Sequence, residues 1–269
     1  MSSGSTKEHG NGHGVAPAYF VPALEKGLDV LECLAAQSVP LTQAQLARTL
    51  NRRASELFRV LTTLERRGYV RRDPISGAYG LTLHLYELSH AHSPYEGLMR
   101  AAERPMRDLA DAARESCHLS VINRGRVLVL CEEMAPARVR LSIEVGSTIP
   151  LLRAASGRLL LAYLDDARQQ ETLVLDTEAA RLPITERSAL HDRLTLIRAR
   201  GYEEASGETF DGVSDLAVLV GSAGARVQAA LAITGLARDH AAFVEGTLPA
   251  LRRCAGAITT AAAVGLPAA

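Results

Sequence analysis

The chain has 269 residues, and its 30 Lys and Arg are balanced by 30 Asp and Glu, so the formal net charge is zero. That length suits two domains, and zero net charge excludes a uniformly basic coat, so any surface that meets a polyanion must be local. Aromatics make up 4% and Trp is absent, which leaves an aliphatic core; no apolar run approaches ~18 residues, so no membrane span is expected, and no signal peptide either.

Residues 1–18 are rich in Ser, Gly, His and Asn without periodicity and are expected to be a disordered tail. His9 and His13 belong to that tail composition rather than to a metal site. Residues 19–81 read as a winged helix-turn-helix. Leu24, Leu28, Leu31 and Ala35 share one face of a first helix, which Pro40 ends. Thr42 with Gln45 three residues on has the spacing of a capping box at the start of a short second helix, with Leu46 and Leu50 inward. A third helix starts near Arg53 or Ala54 and buries Leu57, Val60, Leu61 and Leu64. Its other face carries Ser55, Arg59, Thr62 and Arg66, with Arg52 at the entry. Tyr69 to Arg72 and Ala78 to Leu81, joined by Asp73-Pro74-Ile75-Ser76-Gly77, predict a hairpin whose Arg71 and Arg72 sit where a wing meets DNA.

From Arg48 to Asp73 the sequence places eight Arg against three acids, a local charge of +5. That is the footprint of a phosphate-facing surface. Taken singly, each Arg is equally consistent with a solvated helix face or an ordinary charged turn. The ordered set points to double-stranded DNA.

Residues 82–94 are expected to form a linker helix, and 95–266 a second, α+β domain. Within it, Tyr95 to Glu115 is helical, with Pro105 starting or kinking a segment. His118 to Ile122 and Val127 to Cys131 flank Asn123-Arg124-Gly125-Arg126 as a hairpin. Arg138 to Glu144 alternates strictly and predicts a half-buried strand. Leu216 to Val220 and Val227 to Thr234 make another strand pair, and helices are expected over Ser156 to Leu164, Ser188 to Arg200 and His240 to Ala263. Cys33, Cys117, Cys131 and Cys254 lack C-x-x-C spacing, which favours buried thiols in a reducing cytoplasm over a disulfide scaffold or zinc ribbon.

The N-terminal pattern, the tract from Gly146 to Leu164, Arg200-Gly201-Tyr202 and Gly212-Val213-Ser214-Asp215-Leu216-Ala217 together resemble the IclR family of bacterial transcriptional regulators, over about Phe20 to Ala263. The resemblance implies a winged helix-turn-helix, a linker helix and a GAF-like effector-binding domain with an antiparallel sheet and flanking helices. It further implies homodimers or homotetramers on palindromic operators and a small organic effector, often a carboxylate, with no cofactor and no membrane partner. Three departures stand out. Arg53-Ala54-Ser55-Glu56 replaces the usual Pro-Lys-Ser-Thr, so Glu56 either accepts from cytosine or repels phosphate. Leu152 to Arg158 replaces a His-Ala-Thr-Ala run before Gly-Lys, and Ala217-Val218-Leu219-Val220 replaces Ala-x-Pro-Val.

Candidate effector residues follow from chemistry. Ala155, Ser156 and Gly157 open an apolar helix, where small residues admit a ligand to the backbone and N–H groups favour an anion. Arg153 is a bidentate partner if it points inward and a solvated strand-end charge if not; Ser156 is alternatively an N-cap. Asp215 either faces solvent by alternation or sits in a cavity as an acceptor or metal ligand; the resemblance places it near the effector pocket. His118 is either structural or a further pocket group. No G-x-S-x-G, P-loop, G-x-G-x-x-G or H-E-x-x-H motif is present. Cys117 and His118 are adjacent on a strand and point to opposite faces, so they make no nucleophile–base pair. The alternatives to a regulator are a small-molecule enzyme or a protein-interaction module on the second domain.

Overall fold

A computed structural model describes residues 21–91, 95–209, 211–225, 227–236 and 239–262. The expected N-terminal tail and Pro94 lie outside these residues. The chain divides into two compact units, Met1–Ser93 and Pro94–Ala269.

In the first unit, α1 (Pro22–Ala35), α2 (Gln43–Thr49) and α3 (Ala54–Arg66) enclose a core of Val30, Leu34, Leu46, Leu57 and Leu61. The capping box at the start of α2 is complete: the Thr42 hydroxyl accepts from Gln45 N, and the Gln45 side chain accepts from Thr42 N at 2.8 Å. Strands β1 (Leu41–Thr42), β2 (Val70–Arg72) and β3 (Ala78–Leu81) form an antiparallel sheet in the order β1-β3-β2, which is the wing. Asp73 shapes its turn by accepting from Ile75 N and Ser76 N, and that bonding holds its carboxyl below the usual range. Helix α4 (His84–Ala91) follows.

The second unit is a six-stranded antiparallel sheet in the order β6-β5-β4-β9-β8-β7. Its strands are β4 (Ser116–Asn123), β5 (Arg126–Glu133), β6 (Thr148–Pro150), β7 (Glu203–Ser206), β8 (Val213–Val220) and β9 (Ala229–Leu236). Side-chain alternation gives the sheet two apolar faces. Cys117, Leu119, Leu216, Val218 and Ile233 pack with α5 (Glu96–Ala113) and α9 (His240–Ala261). Ala205, Ala217, Ala230 and Ala232 pack with α6 (Ala155–Tyr163) and α8 (Ile184–Arg200) on the other side. The β4–β5 turn has φ of 52° at Arg124 and 73° at Gly125, the two positive values that a tight hairpin demands.

One expectation is corrected. Arg138 to Glu144 is not a strand. Val139 is 76% exposed, β6 pairs only with Arg126 to Leu128 of β5, and the segment is held beside the far end of β5 by side chains: Glu132 accepts from Ile143 N at 2.7 Å, and Ser116 donates to Leu141 O at 2.6 Å. Of the two readings of Pro105, it does not start a segment: it lies within α5. Helix α7 (Asp166–Leu175) and strand β7 are additional elements, and Asp165 caps α7 by accepting from Arg168 N at 2.9 Å.

Candidate functional site

Two regions concentrate polar chemistry, one in each unit. On α3, Leu57 and Leu61 are fully buried, so Ser55, Arg59, Thr62 and Arg66 face outward and are exposed. Arg53 is the exposed N-cap residue and makes no side-chain cap. Arg71 and Arg72 are exposed on β2, with the Arg72 guanidinium 5.8 Å from the Tyr79 ring centroid. Arg52 and Glu56 turn the other way, towards α1. Arg52 Nη2 lies 2.6 Å from Asp29, and Glu56 lies 2.9 Å from Lys26, whose hydrogen bond and charge hold the Glu56 carboxyl below its ordinary range. The Thr62 hydroxyl donates to Phe58 O at 2.9 Å, so its proton is committed within the helix.

In the second unit, a small cavity of about 20 Å³ opens between the sheet and the start of α6. His118 on β4, Asp215 on β8 and Ala232 on β9 form its sheet wall; Ala154, Ala155 and Ser156 form its helix wall, and Thr209 completes it. Asp215 is buried and accepts from Thr234 at 2.7 Å and from Thr209 at 3.0 Å. Burial raises its carboxyl above the ordinary range against the opposing pull of those two bonds. His118 is buried, and desolvation pushes its imidazole down to about 4, so the ring is neutral at physiological pH. Its Nε2 has no hydrogen-bond partner among the described residues, nor does the buried Ser120 hydroxyl two residues along the same strand face. The N-cap of α6 is Ala154, which supplies no side-chain cap; Ser156 is therefore not a cap but a buried residue of the first turn. Uncapped first-turn N–H groups favour a negatively charged group.

One candidate residue is placed elsewhere. Arg153 points away from the cavity: its side chain is 62% exposed and Nε lies 3.0 Å from Glu178. Gly157 is tightly packed, since a Cβ there would stand 2.0 Å from Leu151 O and 2.8 Å from Val127. Sequence reading also missed a buried ion cluster beside the cavity. The fully buried Glu203 accepts from Arg158 at 2.7 Å and from Arg193 and Arg200 at 2.6 Å each. Arg158 also reaches Glu208 at 3.0 Å. The signal was an acid in Glu203-Glu204 directly after the helix-ending Gly201, unreadable while β7 was unrecognised.

Cys117 lies in the core with α5, donating to Met106 O at 3.4 Å, while His118 faces α6. Burial pushes the thiols of Cys131 and Cys254 up to about 11 and about 12, and Cys117 higher still, which suppresses thiolate chemistry. Among the described residues no group of three His, Cys, Asp or Glu is arranged to hold a metal ion, and no helix is long and apolar enough to cross a membrane.

A winged helix-turn-helix followed by an α+β unit with a small cavity is the architecture of a DNA-binding transcriptional regulator. Residues 23–74 match the IclR helix-turn-helix domain, and residues 94–260 match the bacterial transcriptional regulator IclR C-terminal domain. The chain belongs to the IclR family. It is 30% identical over 246 residues to the glycerol operon regulatory protein of Streptomyces griseus, covering 89% of this chain and 95% of that one. An IclR homolog from Microbacterium hydrocarbonoxydans, solved as a complex with 4-hydroxybenzoate, superposes with TM-score 0.76 at 25% identity, over 90% of this chain and 99% of that one. Pseudomonas aeruginosa HmgR gives TM-score 0.69 at 27% identity, over 91% and 100%.

Proposed function

We propose that this regulator binds a specific double-stranded operator through α3 and the wing, and that a small organic acid in the α6 cavity sets the affinity. The observation that carries the effector reading is the cavity itself: an unpartnered imidazole nitrogen, a buried carboxyl and an uncapped helix start converge there. Buried polar groups are normally satisfied, so an orphaned one facing a cavity argues for a ligand. The complex of the Microbacterium homolog with a hydroxylated carboxylate supports the same class. At about 20 Å³ the cavity holds about one water, so entry of an organic acid requires Thr209 to release Asp215.

Arg53, Ser55, Arg59 and Arg66 on α3, with Arg71 and Arg72 on the wing, are the DNA-facing set. Arg52 and Glu56 orient α3 through their α1 partners. Palindromic sites require two heads. An apolar groove of about 650 Å³ between α1, α3 and α4 supports a homodimer, since Leu24, Leu28 and Leu88 there are about half exposed at 59%, 45% and 50%. The effector shifts DNA affinity only by binding the two arrangements of the heads unequally. On this reading the protein is cytoplasmic, requires no cofactor and performs no catalysis.

The test is a gel shift on DNA upstream of its own gene and its neighbours at low and moderate salt. A discrete complex that survives competitor DNA, and is altered by an organic acid, is expected. No complex at low salt sinks the operator reading. A complex indifferent to every acid, in a protein whose melting temperature no acid raises, sinks the effector reading alone.

A further inference from the structure

One side chain on the outward surface of α3 is unaccounted for by charge. Phe58 is 57% exposed. The other large apolar residues of that helix, Leu57, Val60, Leu61 and Leu64, all lie in or against the core. At 100° per residue, Phe58 stands about 40° from Thr62 and about 60° from Ser55, at the edge of the strip that continues to Arg66 and Arg59. It takes no part in the groove with α1 and α4, which α3 lines with Arg59, Val60, Thr63 and Leu64 and its C-cap Arg67. Single exposed apolar residues are common on proteins. This one is the largest exposed apolar group on α3, flanked by Thr62 and Ser55 on one side and Glu65 on the other, in a chain with only four Phe.

A major groove offers one apolar feature among its donor and acceptor edges, the C5-methyl group of thymine. Thr62, one turn on, reinforces the apolar character, since its hydroxyl proton is already given to Phe58 O. We propose that Phe58 is a specificity-determining residue that packs on a thymine methyl in each half-site, with Ser55 and Arg59 taking polar edges of the adjoining base pairs. The proposal rests on the operator-binding reading above and adds the base and the side chain that selects it.

The experiment uses the full chain. Bound duplexes are selected from a random DNA pool, and each thymine of the enriched site is then replaced singly by deoxyuracil, which removes only the methyl. For the parent protein we expect one position per half-site where uracil weakens binding about fourfold, the worth of one buried methyl. Phe58→Ala should bind the thymine duplex about that much more weakly and show no further loss with uracil. Phe58→Leu should recover part of the discrimination. If Phe58→Ala keeps the parent's thymine-to-uracil ratio at every position, or no position in the parent discriminates, the assignment is wrong. A pool that yields no enriched sequence overturns the operator reading, and this proposal with it. An unchanged urea midpoint for Phe58→Ala is expected from its exposure and separates recognition from folding.

Discussion

Thr209 donates its hydroxyl to Asp215 Oδ2 across 3.0 Å, while Thr234 occupies Oδ1 at 2.7 Å. Thr209 thereby closes a cavity whose remaining walls belong to the sheet and to the tightly packed start of α6. Asp215→Ala and Ser156→Trp are expected to abolish the response to whichever organic acid alters the parent's gel shift, with DNA binding intact. Thr209→Val should keep the response and move its midpoint to lower acid concentration, because the closing bond is gone. An Asp215 variant that titrates like the parent would remove Asp215 from the site.

Arg52 and Arg71 should separate in a salt titration of DNA binding. Arg52 is tied to Asp29. Arg52→Ala is therefore expected to lower the stability of the first unit by about 0.5–1 kcal/mol and leave the salt slope unchanged. Arg71 is exposed on the wing, and Arg71→Ala should reduce the magnitude of the slope by about 1. Equal slopes for the two variants would contradict the assignment.

The neutral, buried His118 makes stability sensitive to acid. Its folded-state value is pushed from the ordinary 6.5 down to about 4, so between those values the unfolded chain binds a proton that the folded chain does not. Stability is complete above about pH 6.5 and falls as the pH drops towards 4, by at most about 1.4 kcal/mol per pH unit. Urea midpoints at pH 7 and pH 5 measure this, and the difference should shrink in His118→Phe.

Glu203 is fully buried among Arg158, Arg193 and Arg200. Replacing it with Gln removes the buried carboxylate shared by three arginines, leaving Arg158 with Glu208 as its only acid partner, and is expected to cost about 3–5 kcal/mol. Thermal unfolding reads this directly. A variant with parental stability would mean that Glu208 alone suffices to hold Arg158.

Gly157→Ala tests the packing of α6 on β5. A Cβ at 2.0 Å from a backbone carbonyl cannot be absorbed by a side-chain rotation, so the helix must shift. A loss of about 2–3 kcal/mol is expected, visible in the melting temperature even without any ligand. A neutral substitution would contradict the tight packing at Gly157.

Much of the fold was legible because it is written in local chemistry. The capping box at Thr42 and Gln45, the buried stripe of α3 and the hairpin at Arg124-Gly125 each follow from residues a few positions apart. Arg138 to Glu144 shows the limit of that reading. Its alternation is that of a strand, yet its backbone groups at Ile143 and Leu141 are taken by the side chains of Glu132 and Ser116 rather than by a strand ladder. Likewise the role of Glu203 appears only where three arginines from separate positions converge on it.

The sequence by itself determined the order of elements, the Arg-rich surface of α3 and the wing, and the opposite facing of Cys117 and His118, all of which depend on helix and strand periods alone. Only the tertiary structure decided which of those side chains are available. It paired Arg52 with Asp29, sent Arg153 out to Glu178 and enclosed His118, Ser156 and Asp215 in one cavity. Charge and hydrogen-bonding capacity are properties of a residue, but their direction is set by partners distant in the chain, and no local pattern encodes where those partners will stand.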